Sequence, residues 1–202
     1  MTKNSKNKNH PKKNQKIVVD PIRDLEDIKS IKQLLKSNER NHLLFVLGTN
    51  TGLRCGDLLQ LKVKDLDNKS VGNEIYLKES KTGKTNFFTI NKEIFKSYQN
   101  YRNKYDQRKP DEFLFQSQKG KNKPLSVPYC NNLVKSWTRM INIEGNFGTH
   151  SLRKTWGYIQ RVVFGVSFEV ICKRFSHSNP SITMKYLGIT DKEVSNVMLN
   201  EI

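Results

Sequence analysis

The sequence predicts an α+β domain, mainly helical, with one small antiparallel sheet. Three observations predict it. Apolar residues recur at helical spacing through most of the chain, as in Leu152, Trp156, Ile159 and Val163. One pair of strand-like runs, EIYLK and NFFTI within residues 74–90, flanks the turn-forming KTGK of residues 81–84. No internal repeat is visible, and 202 residues suit a single domain of ordinary size with a tail.

Charge sets the partner class. The chain holds 36 Lys and Arg against 19 Asp and Glu, a formal net charge of +17. That excess suits a polyanion, either nucleic acid or an anionic membrane surface. No apolar run approaches the ~20 residues that cross a bilayer. No strongly amphipathic basic helix is present to lie on one, and nothing at the N-terminus reads as a secretory leader. Cys55, Cys130 and Cys172 are odd in number and far apart in sequence, with no C-x-x-C. This argues against a zinc site or disulfide framework and for a reduced, cytoplasmic setting. The abundance of Lys and Asn hints at an AT-rich bacterial source.

Taken in order, residues 1–16 are Lys- and Asn-rich without a core-forming pattern and read as a disordered basic tail. Such a tail is either a solvated terminus or a contact to phosphates. Residues 20–36 carry Asp24, Glu26 and Asp27 early and then Ile28, Ile31, Leu34 and Leu35, an amphipathic helix with acids at its positive end. Residues 40–50 read as a more buried helix with a structural His42. TGLRCGDLLQLKVKDLD gives a turn at Gly52 and a second helix. The hairpin follows, with EFLFQ (112–116) as a candidate third strand, a helix over 91–109 and a basic loop at 117–124. Residues 127–142 form a helix with Leu133, Trp137 and Met140 or Ile141 inward. The next helix carries the Leu152 stripe, with His150 and Arg153 off it and three apart. SFEVICKRF is a short helix with Phe168, Ile171 and Phe175 inward. Pro180 starts another at its first turn, with Tyr186 near its end. Thr190 to Glu193 read as a capping box for a last helix with Val194, Val197 and Met198 on its apolar face.

Several residues are better suited to chemistry than to packing. Arg54 near a helix start can grip an anionic oxygen, or pair with Asp57 three residues on. His150 and Arg153, off the buried stripe, can both reach one point outside the core. His177 and Tyr186 lie nine residues apart in FSHSNPSITMKYLGI. Read together, TGLR with an acid three residues on, HSLRKT, and HSNPSITMKYL resemble the catalytic domain of the tyrosine recombinases, the phage integrase family. The resemblance covers roughly residues 20–190.

The resemblance implies a site-specific DNA recombinase that cuts and rejoins DNA through a covalent 3′-phosphotyrosyl link. It implies Tyr186 as nucleophile, Arg54 and Arg153 as phosphate clamps, His150 as base, His177 as a phosphate-positioning group and Lys81 as the proton donor to the leaving 5′-oxygen. Lys84 competes with Lys81 for that role. No cofactor or metal is implied, since cationic side chains carry the charge. The implied partners are double-stranded DNA, a homotetramer joined through the C-terminal helix, and an accessory or core-binding partner at the nucleoid. Residues 17–202 read as the catalytic domain alone, without the separate N-terminal core-binding domain usual in the family. Two rivals remain: a non-catalytic DNA-binding protein derived from a recombinase, and a type IB topoisomerase-like relaxer.

Overall fold

The computed structural model describes residues 18–189, 195 and 198–201. The basic tail and most of the expected last helix, Val194 and Val197 included, lie outside the described residues.

The chain enters as an extended segment, and Asp24 caps α1 (Leu25–Leu34) by accepting the Glu26 N–H at 2.8 Å. The expected helix over 20–36 is therefore shorter. Residues 20–23 stay extended because Ile22 is buried and donates its N–H to Thr155 Oγ1 at 2.8 Å. Leu34 faces solvent and Leu35 takes the inward position.

Helix α2 (Glu39–Thr51) is apolar on nearly every face and packs against α1, α5 and α7. A helix buried all round belongs at the centre of a core. His42 on it is structural, as expected, with Nδ1 2.9 Å from Ser97 Oγ. Gly52 ends α2 in the left-handed conformation at φ 66°. That leaves two single turns, α3 (Cys55–Leu58) and α4 (Val63–Leu66), where one helix was expected. The helix breaks because the backbone at 61–63 bonds to another segment. Val63 donates to Glu112 O at 2.9 Å, and Leu61 O accepts from Leu114 N–H at 2.9 Å.

Strands β1 (Glu74–Lys78) and β2 (Thr85–Thr89) pair antiparallel, Glu74 opposite Thr89 and Lys78 opposite Thr85. EFLFQ does not join them. It makes only isolated bridges, Lys62 with Phe113 and Gln116 with Pro124. Its neighbour at 61–63 turns at once into α4, so no ladder can grow.

Helices α5 (Lys92–Lys104), α6 (Val127–Met140), α7 (Thr149–Val162), α8 (Phe168–Phe175) and α9 (Pro180–Leu187) complete the described fold. On α6, Met140 is exposed and Ile141 packs on the core. Cys55 and Cys130, distant in sequence, lie near each other between α3 and α6. Both are free and buried. Helix α7 touches α2, α3, α6, α8 and α9. It is buried over more of its surface than its apolar stripe suggests: Ser151, Arg153, Lys154 and Thr155 lie inside, while Val163 faces solvent. A smaller apolar cluster of Ile171, Phe175 and Leu187, with Trp156 and Tyr186 against it, fastens α8 and α9 to α7. Gly157 makes this possible. A Cβ there would come within 2.7 Å of both Leu187 and Phe175.

Candidate active site

The site forms where the end of α2, the start of α3, the hairpin turn, α7, α8 and α9 meet. Arg153 is its centre. It is 3% exposed, and its guanidinium donates to Gly52 O at 2.8 Å and Phe175 O at 2.9 Å. The group also lies over the Phe175 ring, 4.4 Å from the centroid. Two of its five donors are thus fixed on backbone carbonyls from two different elements. The positive charge of Arg153 also acts on the Tyr186 hydroxyl, favouring its ionised form. The expectation that Arg153 points outside the core fails in an informative way: the residue is inside, and the site comes to it.

Arg54 caps α3. It does not pair with Asp57. It faces Glu79 in an ion pair at 2.8 Å, while Asp57, buried, accepts the Ser80 N–H at 2.9 Å. Both acids therefore tie the start of α3 to the hairpin turn.

Tyr186 is half-buried, and its ring meets His177 edge-on at 5.2 Å and Phe175 at 5.4 Å. Burial pushes its phenol pKa up, while Arg153 and Arg54 pull the other way, and the net shift is upward. His177 sits just beyond α8, where Ser176 adopts a left-handed φ of 54° to turn the chain. Its Nδ1 lies 2.9 Å from the buried hydroxyl of Thr183, which leaves Nε2 for another partner. His150 lies in the first turn of α7 and is exposed. Desolvation lowers its pKa, and the positive charges of Arg153, Arg54, Lys154 and Lys81 lower it further.

The structure thus gathers Arg54, His150, Arg153, His177 and Tyr186. Lys81 stands at the rim of the site with an exposed side chain, close enough for its charge to act on His150. Lys84 closes the same turn, its carbonyl accepting the Glu79 N–H at 2.9 Å. Among the described residues no three His, Cys, Asp or Glu side chains gather in a metal-holding group.

Sequence reasoning missed Glu79, Asn86, Lys154, Arg174 and Thr183. Lys154 is buried with its ammonium 5.0 Å from the centre of the Tyr186 ring. Arg174 links α8 to Thr51 O at 2.8 Å and to Asn86 Oδ1 at 2.6 Å. A signal for Glu79 was available. Inward positions of β1 alternate through Ile75 and Leu77, and position 79 continues that face with an acid.

Two guanidiniums and two imidazoles around a phenol make a site suited to holding a phosphate beside a nucleophile. The chain belongs to the phage integrase family, the tyrosine-type site-specific recombinases, and the model of that family matches residues 23–193. It is 37% identical over 177 residues to the probable integrase/recombinase YoeC of Bacillus subtilis (strain 168), covering 86% of this chain and 92% of that one. It is 28% identical over 169 residues to a tyrosine recombinase of Pseudothermotoga lettingae, covering 83% of this chain and 56% of that one. Among solved structures, the XerA recombinase superposes with a TM-score of 0.74 at 17% identity, over 93% of this chain and 68% of that one. The XerH site-specific recombinase, bound to palindromic difH substrate, gives 0.71 at 19%, over 87% and 51%. These two likenesses establish the fold, an α+β recombinase catalytic domain with a small sheet. No helix among the described residues is long and apolar enough to cross a membrane.

Proposed function

We propose that this chain binds double-stranded DNA and cuts and rejoins it with Tyr186 as nucleophile. The carrying observation is the seating of the Tyr186 hydroxyl against a buried, backbone-anchored Arg153, with Arg54 and His177 beside it. The Tyr186 oxygen attacks phosphorus, forming a 3′-phosphotyrosyl bond and breaking the bond to the 5′-oxygen. The phenol proton goes to His150, whose lowered pKa keeps it neutral and basic near pH 7. The leaving 5′-oxygen takes a proton from Lys81. Arg54 and Arg153 neutralise charge on the non-bridging oxygens with planar forks, which a lysine would not duplicate. His177, its Nδ1 accepting from Thr183, donates from Nε2 to a non-bridging oxygen. A second 5′-hydroxyl reverses the steps, so no outside energy is needed.

Support for Lys81 over Lys84 is its electrostatic reach to His150. Residues 17–202 act in this reading as one catalytic domain. A homotetramer on DNA joined through the C-terminal segment and an accessory or core-binding partner complete the proposal, with the nucleoid as the place of action. The exposed apolar residues Phe164, Val170, Ile182 and Met184 near α8 and α9 suit a contact between copies.

The test is a nicked suicide duplex taken from DNA flanking the gene, run on a denaturing gel. The native chain should form a protein–DNA adduct, and Tyr186→Phe should bind the duplex equally and form none. An adduct with Tyr186→Phe would remove this residue as nucleophile. Binding without adduct by the native chain would favour a non-catalytic DNA-binding protein.

A further inference from the structure

We propose that Glu79 is a positioning residue that holds the turn carrying Lys81 against Arg54. This rests on the reading of Lys81 as proton donor to the leaving oxygen. Glu79 is 1% exposed, and a buried carboxylate is tolerated only when paired and hydrogen-bonded. Its Oε2 faces Arg54 at 2.8 Å and accepts the Thr82 hydroxyl at 2.6 Å. Its Oε1 accepts from Asn86 Nδ2 at 2.6 Å. Its backbone closes the same turn, donating to Lys84 O at 2.9 Å and accepting from Gly83 N–H at 2.8 Å.

Lys81 therefore sits in a turn fixed on both sides by one residue. The anchor on the other side is Arg54, at the start of α3. Asp57 of that helical turn also takes the Ser80 N–H at 2.9 Å. The bonds run on through Asn86 to Arg174 at 2.6 Å and from Arg174 to Thr51 O at 2.8 Å, so α8 holds the far side of the hairpin. The Lys81 side chain itself is exposed. The pinned backbone is what sets where its ammonium can reach. Burial pushes the Glu79 carboxyl pKa up, but hydrogen bonds from Thr82, Asn86 and Arg54 outweigh it and the net shift is downward. The carboxylate is thus charged throughout the working pH range.

The two sides of the reaction separate by leaving group. A 5′-oxygen leaves only with a proton. A sulfur in the same bridging position leaves as thiolate, since a thiol ionises near pH ~8.5, and needs no donor. Single-turnover cleavage is measured on the flanking duplex on which the native chain forms its adduct, made once with bridging oxygen and once with bridging sulfur. Glu79→Gln should cleave the oxygen substrate about 10- to 100-fold more slowly, the scale of an ångström-sized misplacement. On the sulfur substrate it should run close to the native rate. Thr82→Ala, at an exposed position, removes the clasp to Glu79 and a longer contact from the Lys84 N–H at 3.3 Å, and should show the same pattern with a smaller loss, so the test survives if Glu79→Gln fails to fold. Equal loss on both substrates, or no loss on oxygen, overturns the proposal. Lys81→Ala is the separate control. If it cleaves the oxygen substrate at the native rate, the role given to Lys81 is wrong. If its loss is rescued by sulfur while that of Glu79→Gln is not, only the role given to Glu79 is wrong.

Discussion

In the proposed reaction His150 is the residue on which pH acts. Partial desolvation lowers its pKa from the ordinary 6.5, and four positive side chains lower it further. Only the neutral ring can take the phenol proton, so cleavage should rise with pH as His150 deprotonates, with the acid limb below 6.5. Lys81→Ala removes one of those charges. The His150 pKa should then rise and the acid limb move to higher pH. A pH–rate profile on the bridging-sulfur substrate reads this without the loss of the donor, and an unmoved limb would place Lys81 away from His150. Stability follows the same sign. His42, His150 and His177 all have lowered pKa values in the fold. The unfolded chain therefore takes up protons first, and stability present above about 6.5 is lost as pH falls through the folded values. The residue types of the site were legible in the sequence. The partner of Arg54 was not, because Glu79 lies 25 positions on and reaches it only when the hairpin folds back.

At the scale of elements, the approach of α7 to α8 and α9 sets the position of Tyr186, the proposed nucleophile. Tyr186 and Leu187 share α9, and Leu187 lies against Gly157. Gly157→Ala would place a methyl 2.7 Å from Leu187 and Phe175. Overpacking of this kind costs about 1–3 kcal/mol, and here it pushes the tyrosine helix off Arg153. Thermal denaturation should show a lowered midpoint and single-turnover cleavage a lowered rate. If both hold at native values, α9 is not set by this contact. Helix starts were readable near Asn91, Ser126, Ser167 and Asn179, each of which caps a helix, whereas α1 starts at its Asp24 cap, later than the expected residue 20. The two single turns after Arg54 and the failed third strand were not readable. Both follow from one long-range pairing, of residues 61–63 with 112–114.

For the whole molecule, charge governs the encounter with DNA. A chain of formal net charge +17 gains affinity by releasing counterions from phosphates. Binding of the native chain to a duplex should weaken roughly a thousandfold between ~50 and ~200 mM salt if about six phosphates are contacted. Fluorescence anisotropy across a salt series measures the slope. A flat response would mean that the positive surface does not face the backbone.

The sequence by itself determined the fold class, the basic character, the order of the blocks and the resemblance that singles out Arg54, His150, Arg153, His177 and Tyr186, while it left Lys81 and Lys84 as alternatives. These are properties of residue type and local spacing, which are written along the chain. Only the tertiary structure decided that Arg153 is buried and held by two distant carbonyls, that Arg54 faces Glu79 and not Asp57, and that Arg174 fastens the hairpin to α8. The reason is physical. A buried charge is stable only where several segments bring it partners, and those partners are fixed by how the segments pack, not by their distance in sequence.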